Sequence, residues 1–269
     1  MPKSPTIVRE ERAELFAEFE DNRNFVMSFA RGLEVIQSFY EEPQGMTAAR
    51  VSKKTGLSRA AVRRFLITLE TLGHAENASG VYHLRPSILR IGCSYLSSTT
   101  LPALAQPILE QVSEKVREST SLSALDEDNI IYLARHTSSR VLSVGLSVGS
   151  RLPAYCTSMG RVMLADLPKQ QLAQYLARVK MKKWTSKTIT SKSGLMNMLA
   201  KVAIDRYALV DGELEPGLRS IAVPIRTLQG KTIAAMNVGA HVSSVTVEDM
   251  ETRILPVLRQ HAEILSRLL

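Results

Sequence analysis

The sequence predicts an α+β protein in two parts: short helices closed by a β-hairpin, then a larger unit built on an antiparallel sheet. Three observations carry this. Apolar residues recur at three- and four-residue spacing from Phe25 to Leu69. The period drops to two around Ala75–Leu84 and again after Thr120. The later strand-like segments come as hairpins, then helices, then hairpins, not as the βα alternation of a parallel sheet. A chain of 269 residues with 45% hydrophobic residues has room for about two domains and a real core. The expected boundaries are an N-terminal extension 1–24, a first domain 25–84, a linker helix 85–100 and a second domain 101–269.

The elements follow in order. Phe25, Phe29, Leu33, Ile36 and Phe39 form one apolar stripe on a first helix, which Pro43 and Gly45 end. Thr47 caps a second helix reaching about Thr55, with Ala48, Val51 and Ser52 inward. Gly56 takes a left-handed turn, Leu57 plugs the corner, and Ser58 caps a third helix. That helix turns Ala61, Val62, Phe65, Leu66 and Leu69 inward. Two short helices joined by a tight turn, followed by a hairpin around Asn77–Gly80, have the grammar of a winged helix-turn-helix. Ile88–Leu96 suggests the linker helix, and Pro102 opens another with Leu104, Ile108, Val112 and Val116 as its stripe. Strands are expected at Ser121–Leu125, Ile130–Arg135, Val141–Val148, Tyr207–Val210, Ser220–Ile225 and Thr232–Gly239. Pro153–Gly160 reads as a loop, and helices are expected at Arg161–Ala165, Lys169–Leu176, Gly194–Arg206 and Val247–Leu269.

Charge sharpens the functional reading. The chain carries a formal +8. Between Glu42 and Glu70 there are Arg50, Lys53, Lys54, Arg59, Arg63 and Arg64 and no acid, the electrostatic footprint of a nucleic-acid binder. Arg59, Arg63 and Arg64 lie on the third helix, where a guanidinium fork suits the O6 and N7 edge of guanine. Thr47, Ser58 and the helix-terminal N–H groups suit phosphate. Double-stranded DNA is therefore the expected partner. Aromatics at 5% argue against a single-strand stacking surface. A second basic run, Arg178–Lys192, reads as a solvated face.

Other classes are poorly supported. Cys93 and Cys156 fit neither a zinc site nor a disulfide framework, so no metal is expected. No glycine-rich phosphate loop or nucleophile elbow is present, and no cofactor is expected. Cys156 would need His136 or His241 beside it to act as a nucleophile. Asp211, Glu213 and Glu215 read as a solvated loop. No catalytic residue is assigned. The first 24 residues mix charges with no apolar stretch behind them, and Pro102 and Pro107 interrupt the uncharged run 91–109. A cytoplasmic protein without a membrane span is expected.

The residues also resemble a known family. The segments Phe29–Ile36, Thr55–Arg64, Leu96–Ser98, Gly149–Tyr155, Thr157–Arg161, Glu213–Pro224 and Ala234–Val238 resemble the bacterial transcriptional regulators named for the isocitrate lyase regulator. Within that family they are most similar to regulators of the β-ketoadipate pathway and of 4-hydroxybenzoate breakdown. The resemblance covers about residues 25–269. It implies a GAF-like effector-binding domain at 101–269, homodimers that pair further on DNA, and a small carboxylic acid as effector. It implies a pocket at Ser158 and Met159, Val210 and Asp211, the Ser220–Pro224 strand, and Asn237 with Gly239. Arg161 stands where many members have Lys, Gly212 is a less usual choice, and Lys182-Lys183-Trp184 is not a hallmark of the family.

The residues support such a site on their own. Thr157-Ser158-Met159-Gly160 runs into a helix, so bare N–H groups and hydroxyls face whatever lies above and favour an anion. Leu152, Met159, Ala222 and Val223 would supply an apolar wall, and Arg135 or Arg219 a second anion partner. Alternatively, Ser158 only caps its own helix. At the level of the whole protein, the alternatives are a DNA-binding regulator that senses nothing and an enzyme fused to a DNA-binding domain.

Overall fold

Capping hydroxyls and one left-handed glycine set the helix boundaries in the first third of the chain. The structure is a computed structural model that describes residues 19, 22–40, 42–92, 100–138 and 146–269. The first unit contains α1 (Met27–Gln37), β1 (Met46–Thr47), α2 (Ala48–Thr55), α3 (Arg59–Thr71), β2 (Ala75–Ala78) and β3 (Val81–Leu84). Thr47 Oγ1 accepts the Arg50 N–H at 3.3 Å and Ser58 Oγ accepts that of Ala61 at 3.2 Å, satisfying donors each helix start leaves bare. Gly56 ends α2 at φ +78°, a conformation that costs glycine little. Ser52 donates to the Leu57 carbonyl at 2.6 Å and pins the corner between α2 and α3. Val35, Phe39, Met46, Val51, Val62, Leu66, Leu69, Ala75 and Tyr82 form the core. The β2–β3 turn places Ser79 and Gly80 at positive φ, the geometry of a tight hairpin. The short β1 adds a third strand beside β3, which the sequence does not announce.

The first helix departs from expectation. The Phe29–Leu33 stripe is not its core face: Phe29 is 67% exposed, while Glu34 and Val35 are buried. Phe25 lies before the helix and stacks on Phe19. After the wing, a 3₁₀ turn Pro86–Ile88 leads into helical residues 89–92. The remainder of the expected linker helix, with Cys93 and Leu96–Ser98, lies outside the described residues.

The second unit begins at Thr99. It contains α4 (Leu101–Val116), β4 (Ser119–Asp126), β5 (Asn129–His136), β6 (Arg151–Pro153), α5 (Ser158–Ala165), α6 (Lys169–Arg178), α7 (Lys192–Asp205), β7 (Ala208–Asp211), β8 (Leu218–Arg226), β9 (Thr232–His241) and α8 (Leu255–Arg267). The six strands pair antiparallel in the order β6-β5-β4-β9-β8-β7. Period-two alternation gives the sheet two different faces. Leu122, Ile221, Val223, Met236 and Val238 pack with Leu109 and Val112 of α4 and Leu258 and Leu265 of α8. Each such buried side chain is worth about 1.5–3 kcal/mol. The opposite face turns Ala222 and Ala235 toward α5, in a cluster with Met159, Val162 and Met163.

Three boundaries differ from the sequence reading. Of the expected strand 141–148, residues 141–145 lie outside the described residues and 146–148 are not strand; the edge strand is β6. The expected loop 153–160 contains a 3₁₀ turn at Ala154–Cys156 and the start of α5, three residues before Arg161. The closing helix is broken by a π turn at Met250–Ile254, just ahead of Pro256. Proline lacks an N–H and collides with the carbonyl four residues back, and the wider turn accommodates it. No helix among the described residues is long and apolar enough to cross a membrane.

Candidate effector and DNA-binding sites

The first candidate surface is α3. Arg59, Arg63 and Arg64 are exposed and form no ion pair among the described residues. Arg50 and Lys54, in contrast, converge on Glu42 at 2.8 and 3.1 Å. Those two cations hold the Glu42 carboxyl below its usual range, the Lys54 hydrogen bond contributing most. The basic window is therefore partly neutralised, and its unpaired charge is concentrated on α3 and Lys53. Thr47 and Ser58 use their lone pairs as helix caps.

The second candidate site is the face of the sheet beneath α5. Thr157, not Ser158, caps this helix: its Oγ1 accepts the Gly160 N–H at 3.2 Å. The Ser158 hydroxyl is thereby released from capping and lies 2.9 Å from the Ser220 hydroxyl on β8. Gly160 lets the helix start press against the preceding turn, since a Cβ there would overlap the Ala154 backbone. Ser123 donates to the Met159 sulfur at 3.1 Å. Strand register aligns Ser220 with Gly239, and Ala222 with Asn237 and then Ser121. A Cβ on Gly239 would meet no atom of the described residues within 4 Å. Small and polar side chains thus form a floor where an ordinary sheet would bury branched apolar ones. Asn237 is only 8% exposed, and its Oδ1 has no hydrogen-bond partner among the described residues.

The expected pocket residues divide between the two faces. Ser158, Met159, Val210, Ser220, Ala222, Asn237 and Gly239 share the α5 side. Val223 does not, because neighbours along a strand point to opposite faces; it packs in the α4–α8 core. Asp211 also falls on the wrong side of its strand. Its carboxylate pairs with Lys187 at 2.6 Å and Arg219 at 2.7 Å. Those cations, Lys187 first, hold its carboxyl below the usual value. Arg219 is occupied by this pair and by the Val245 carbonyl, so it is no anion partner for the floor. Arg135 stands opposite Ser121, in the floor's own row. Leu152 packs into the Met159 cluster from the edge strand, with three strands between it and Ser220.

Sequence reasoning missed what anchors α5. Arg161 is fully buried and makes two 2.6 Å hydrogen bonds to Glu213, while its Nε donates to the Tyr155 carbonyl at 2.9 Å. Glu213 also accepts the Ile189 N–H at 3.2 Å. The reading of 211–215 as a solvated loop is therefore wrong for Asp211 and Glu213, and right only for exposed Glu215. Ser121 and Ser123 were also missed, although a central strand with a hydroxyl at every second position (Ser119, Ser121, Ser123) is a visible signal. The run 178–192 folds back on the domain. Arg178 pairs with Asp128 at 2.7 Å, and Lys182 sits 4.7 Å from the Trp184 ring. Trp184 Nε1 in turn donates to the Tyr155 hydroxyl at 2.7 Å.

Nucleophilic chemistry finds no support at Cys156. The thiol is buried, its pKa is pushed up to about 12 by desolvation, and it donates to the Pro153 carbonyl. His136 lies near Glu110 and His241 bonds Ser243.

Comparison with known proteins follows the same division. Residues 28–78 match the IclR helix-turn-helix domain, and residues 93–267 match the family described as bacterial transcriptional regulator IclR C-terminal. The chain is 46% identical over 241 residues to the Pca regulon regulatory protein of Pseudomonas putida, covering 89% of this chain and 83% of that one. It is 33% identical over 250 residues to the p-hydroxybenzoate hydroxylase transcriptional activator of Acinetobacter baylyi, covering 91% and 92%. An IclR homolog from Microbacterium hydrocarbonoxydans, crystallised with 4-hydroxybenzoate, superposes with a TM-score of 0.77 at 25% identity. That match covers 90% of this chain and all of the other.

Proposed function

The chain belongs to the IclR family of bacterial transcriptional regulators, and from that premise we propose that it controls aromatic-acid catabolism in response to a ligand of that pathway. It is a regulator and not an enzyme. The observation that carries the ligand reading is the floor: buried Asn237, whose amide oxygen has no partner among the described residues, open space over Gly239, and the Ser158–Ser220 hydroxyl pair, released from capping at the start of α5. We assign to this floor a small aromatic acid with its carboxylate at Ser158, Ser220 and the first N–H groups of α5. Met159, Val210 and Ala222 supply apolar surface for the ring, and Arg135 adds positive charge at the far end of the row. Protocatechuate or 4-hydroxybenzoate comes first and β-ketoadipate next, as the sequence resemblance implies; the names of the similar proteins support the hydroxybenzoate.

On the DNA side, Arg59 and Arg63, joined by Arg64, enter the major groove, while Thr47 and Ser58 meet phosphates. The protein works in the cytoplasm as a homodimer, pairing further into a dimer of dimers on its operator. Its effector domain is of GAF-like type. Ligand binding shifts the population between dimer arrangements with different reach between half-sites.

The test is calorimetry of 4-hydroxybenzoate, and of its carboxamide, against the wild type and Ser158→Ala. Losing a hydrogen bond to a charged group costs about 1.5–3 kcal/mol, so the variant should bind the acid roughly ten- to over a hundredfold more weakly. DNA binding without ligand should be intact. If the amide binds as well as the acid, the carboxylate anchor is wrong. If Ser158→Ala binds normally while Arg135→Ala does not, the acid lies the other way round.

A further inference from the structure

We propose that Asn237 reads a hydroxyl group on the effector, placed about one ring's length from the carboxylate, and so selects hydroxylated aromatic acids over unsubstituted ones. This rests on the assignment above of an aromatic acid to the floor.

Asn237 is 8% exposed, and its Oδ1 is buried without a partner among the described residues. An unpaired buried amide oxygen is rare in a folded protein and calls for a donor from outside the chain, a ligand or a water. Its surroundings offer no relief. The residue opposite on β8 is Ala222, which has no polar side chain. The residue opposite on β4 is Ser121, for which no bond to Asn237 forms.

Position then restricts the partner. Ser220 faces Gly239 across the β8–β9 pair, so Asn237 lies on the diagonal from Ser220. Diagonal neighbours are about 7–8 Å apart, close to the span of a benzene ring with its para substituents. The ring has a place to begin, because Gly239 presents no side chain opposite Ser220 and a Cβ there would meet no described atom within 4 Å. An acid anchored by Ser158 and Ser220 therefore brings its para substituent to Asn237.

Chemistry decides what that substituent is. A hydrogen or methyl group there would leave the amide as unpaired as before, and would also bar water from it. A hydroxyl can donate to Oδ1 or accept from Nδ2, so it satisfies the amide in either flip state.

The experiment is calorimetry on the full-length protein with benzoate, 4-methylbenzoate and 4-hydroxybenzoate. The wild type should bind 4-hydroxybenzoate about ten- to a hundredfold more tightly than the other two. Asn237→Leu should lose that preference and favour 4-methylbenzoate, with benzoate affinity changed by no more than a few fold. Equal binding of all three acids by the wild type overturns the proposal. So does an undiminished hydroxyl preference in Asn237→Leu. Binding of none of the three by the wild type sinks the aromatic-acid assignment itself, and the proposal with it. If Asn237→Leu does not fold, Asn237→Ala carries the same expectation, and the wild-type series alone still decides.

Discussion

Removing the Glu213 carboxylate should unfold the second domain far more readily than an ordinary surface substitution would. Arg161 has no exposed surface, so its guanidinium gains no water when Glu213 is truncated to Ala. Two 2.6 Å charge-assisted bonds disappear, and only the bond from Nε to the Tyr155 carbonyl remains. Breaking a buried ion pair from one side typically costs about 3–5 kcal/mol, because the remaining charge is left desolvated. Set against a total stability of about 5–15 kcal/mol, that is a large fraction. For a domain of this size, about 2–4 °C of Tm is lost per kcal/mol, so Glu213→Ala should melt roughly 6–20 °C below the wild type. Calorimetric melting with parallel urea titrations measures it. Two further variants separate charge burial from general damage. Glu213→Gln keeps an acceptor and should fall between wild type and Ala. The double change Arg161→Met with Glu213→Leu removes both charges and should recover most of the loss. A Glu213→Ala loss under about 1 kcal/mol would mean that water reaches Arg161, and the desolvation argument would fail.

Two further outcomes are expected. Arg59→Ala and Arg63→Ala should each lose about 1–3 kcal/mol of discrimination at one base pair; equal losses on operator and scrambled duplex would reduce them to phosphate contacts. Asp211, held below its ordinary value of 3.8 by Lys187 and Arg219, adds stability that is present above that pH and fades as pH falls through the depressed value. Urea titrations of wild type and Asp211→Asn should therefore diverge at neutral pH and begin to converge only as pH falls below 3.8 toward the depressed value; a gap that persists below that value would assign the effect to packing instead.

What the sequence revealed and what it hid have one physical division. Thr47, Gly56 and Ser58 act on backbone within three or four residues of themselves, so the helix-turn-helix could be read from local chemistry alone. Phe29 and Leu33 show the limit of periodicity, which finds an apolar face without saying what covers it. Val223 and Asp211 show a finer limit. Strand period was visible in both, but one step along a strand reverses the face, and a motif carried over by resemblance marks a strand more securely than a side. Glu213 was out of reach, because its partner lies 52 residues away.

The choice between the two readings of Ser158, ligand contact or helix cap, turns on one neighbouring hydroxyl. Thr157 and Ser158 are adjacent residues of similar capping ability, and local propensity ranks Ser the better cap. The structure assigns the cap to Thr157, whose Oγ1 also bonds the Pro153 carbonyl at 3.1 Å and so fixes the preceding 3₁₀ turn. A Ser158 cap would have tied up its hydroxyl in its own helix and left Ser220 alone across the gap. With Thr157 as the cap, Ser158 is the first residue inside the helix and its side chain points at the sheet. There its proton is shared with Ser220 in a pair that either oxygen can open by donating outward. Two hydroxyls that bond each other need only rotate to receive a carboxylate, as the proposed anchor requires. The serine hydroxyls therefore satisfy each other, whereas the Asn237 Oδ1 has no partner among the described residues.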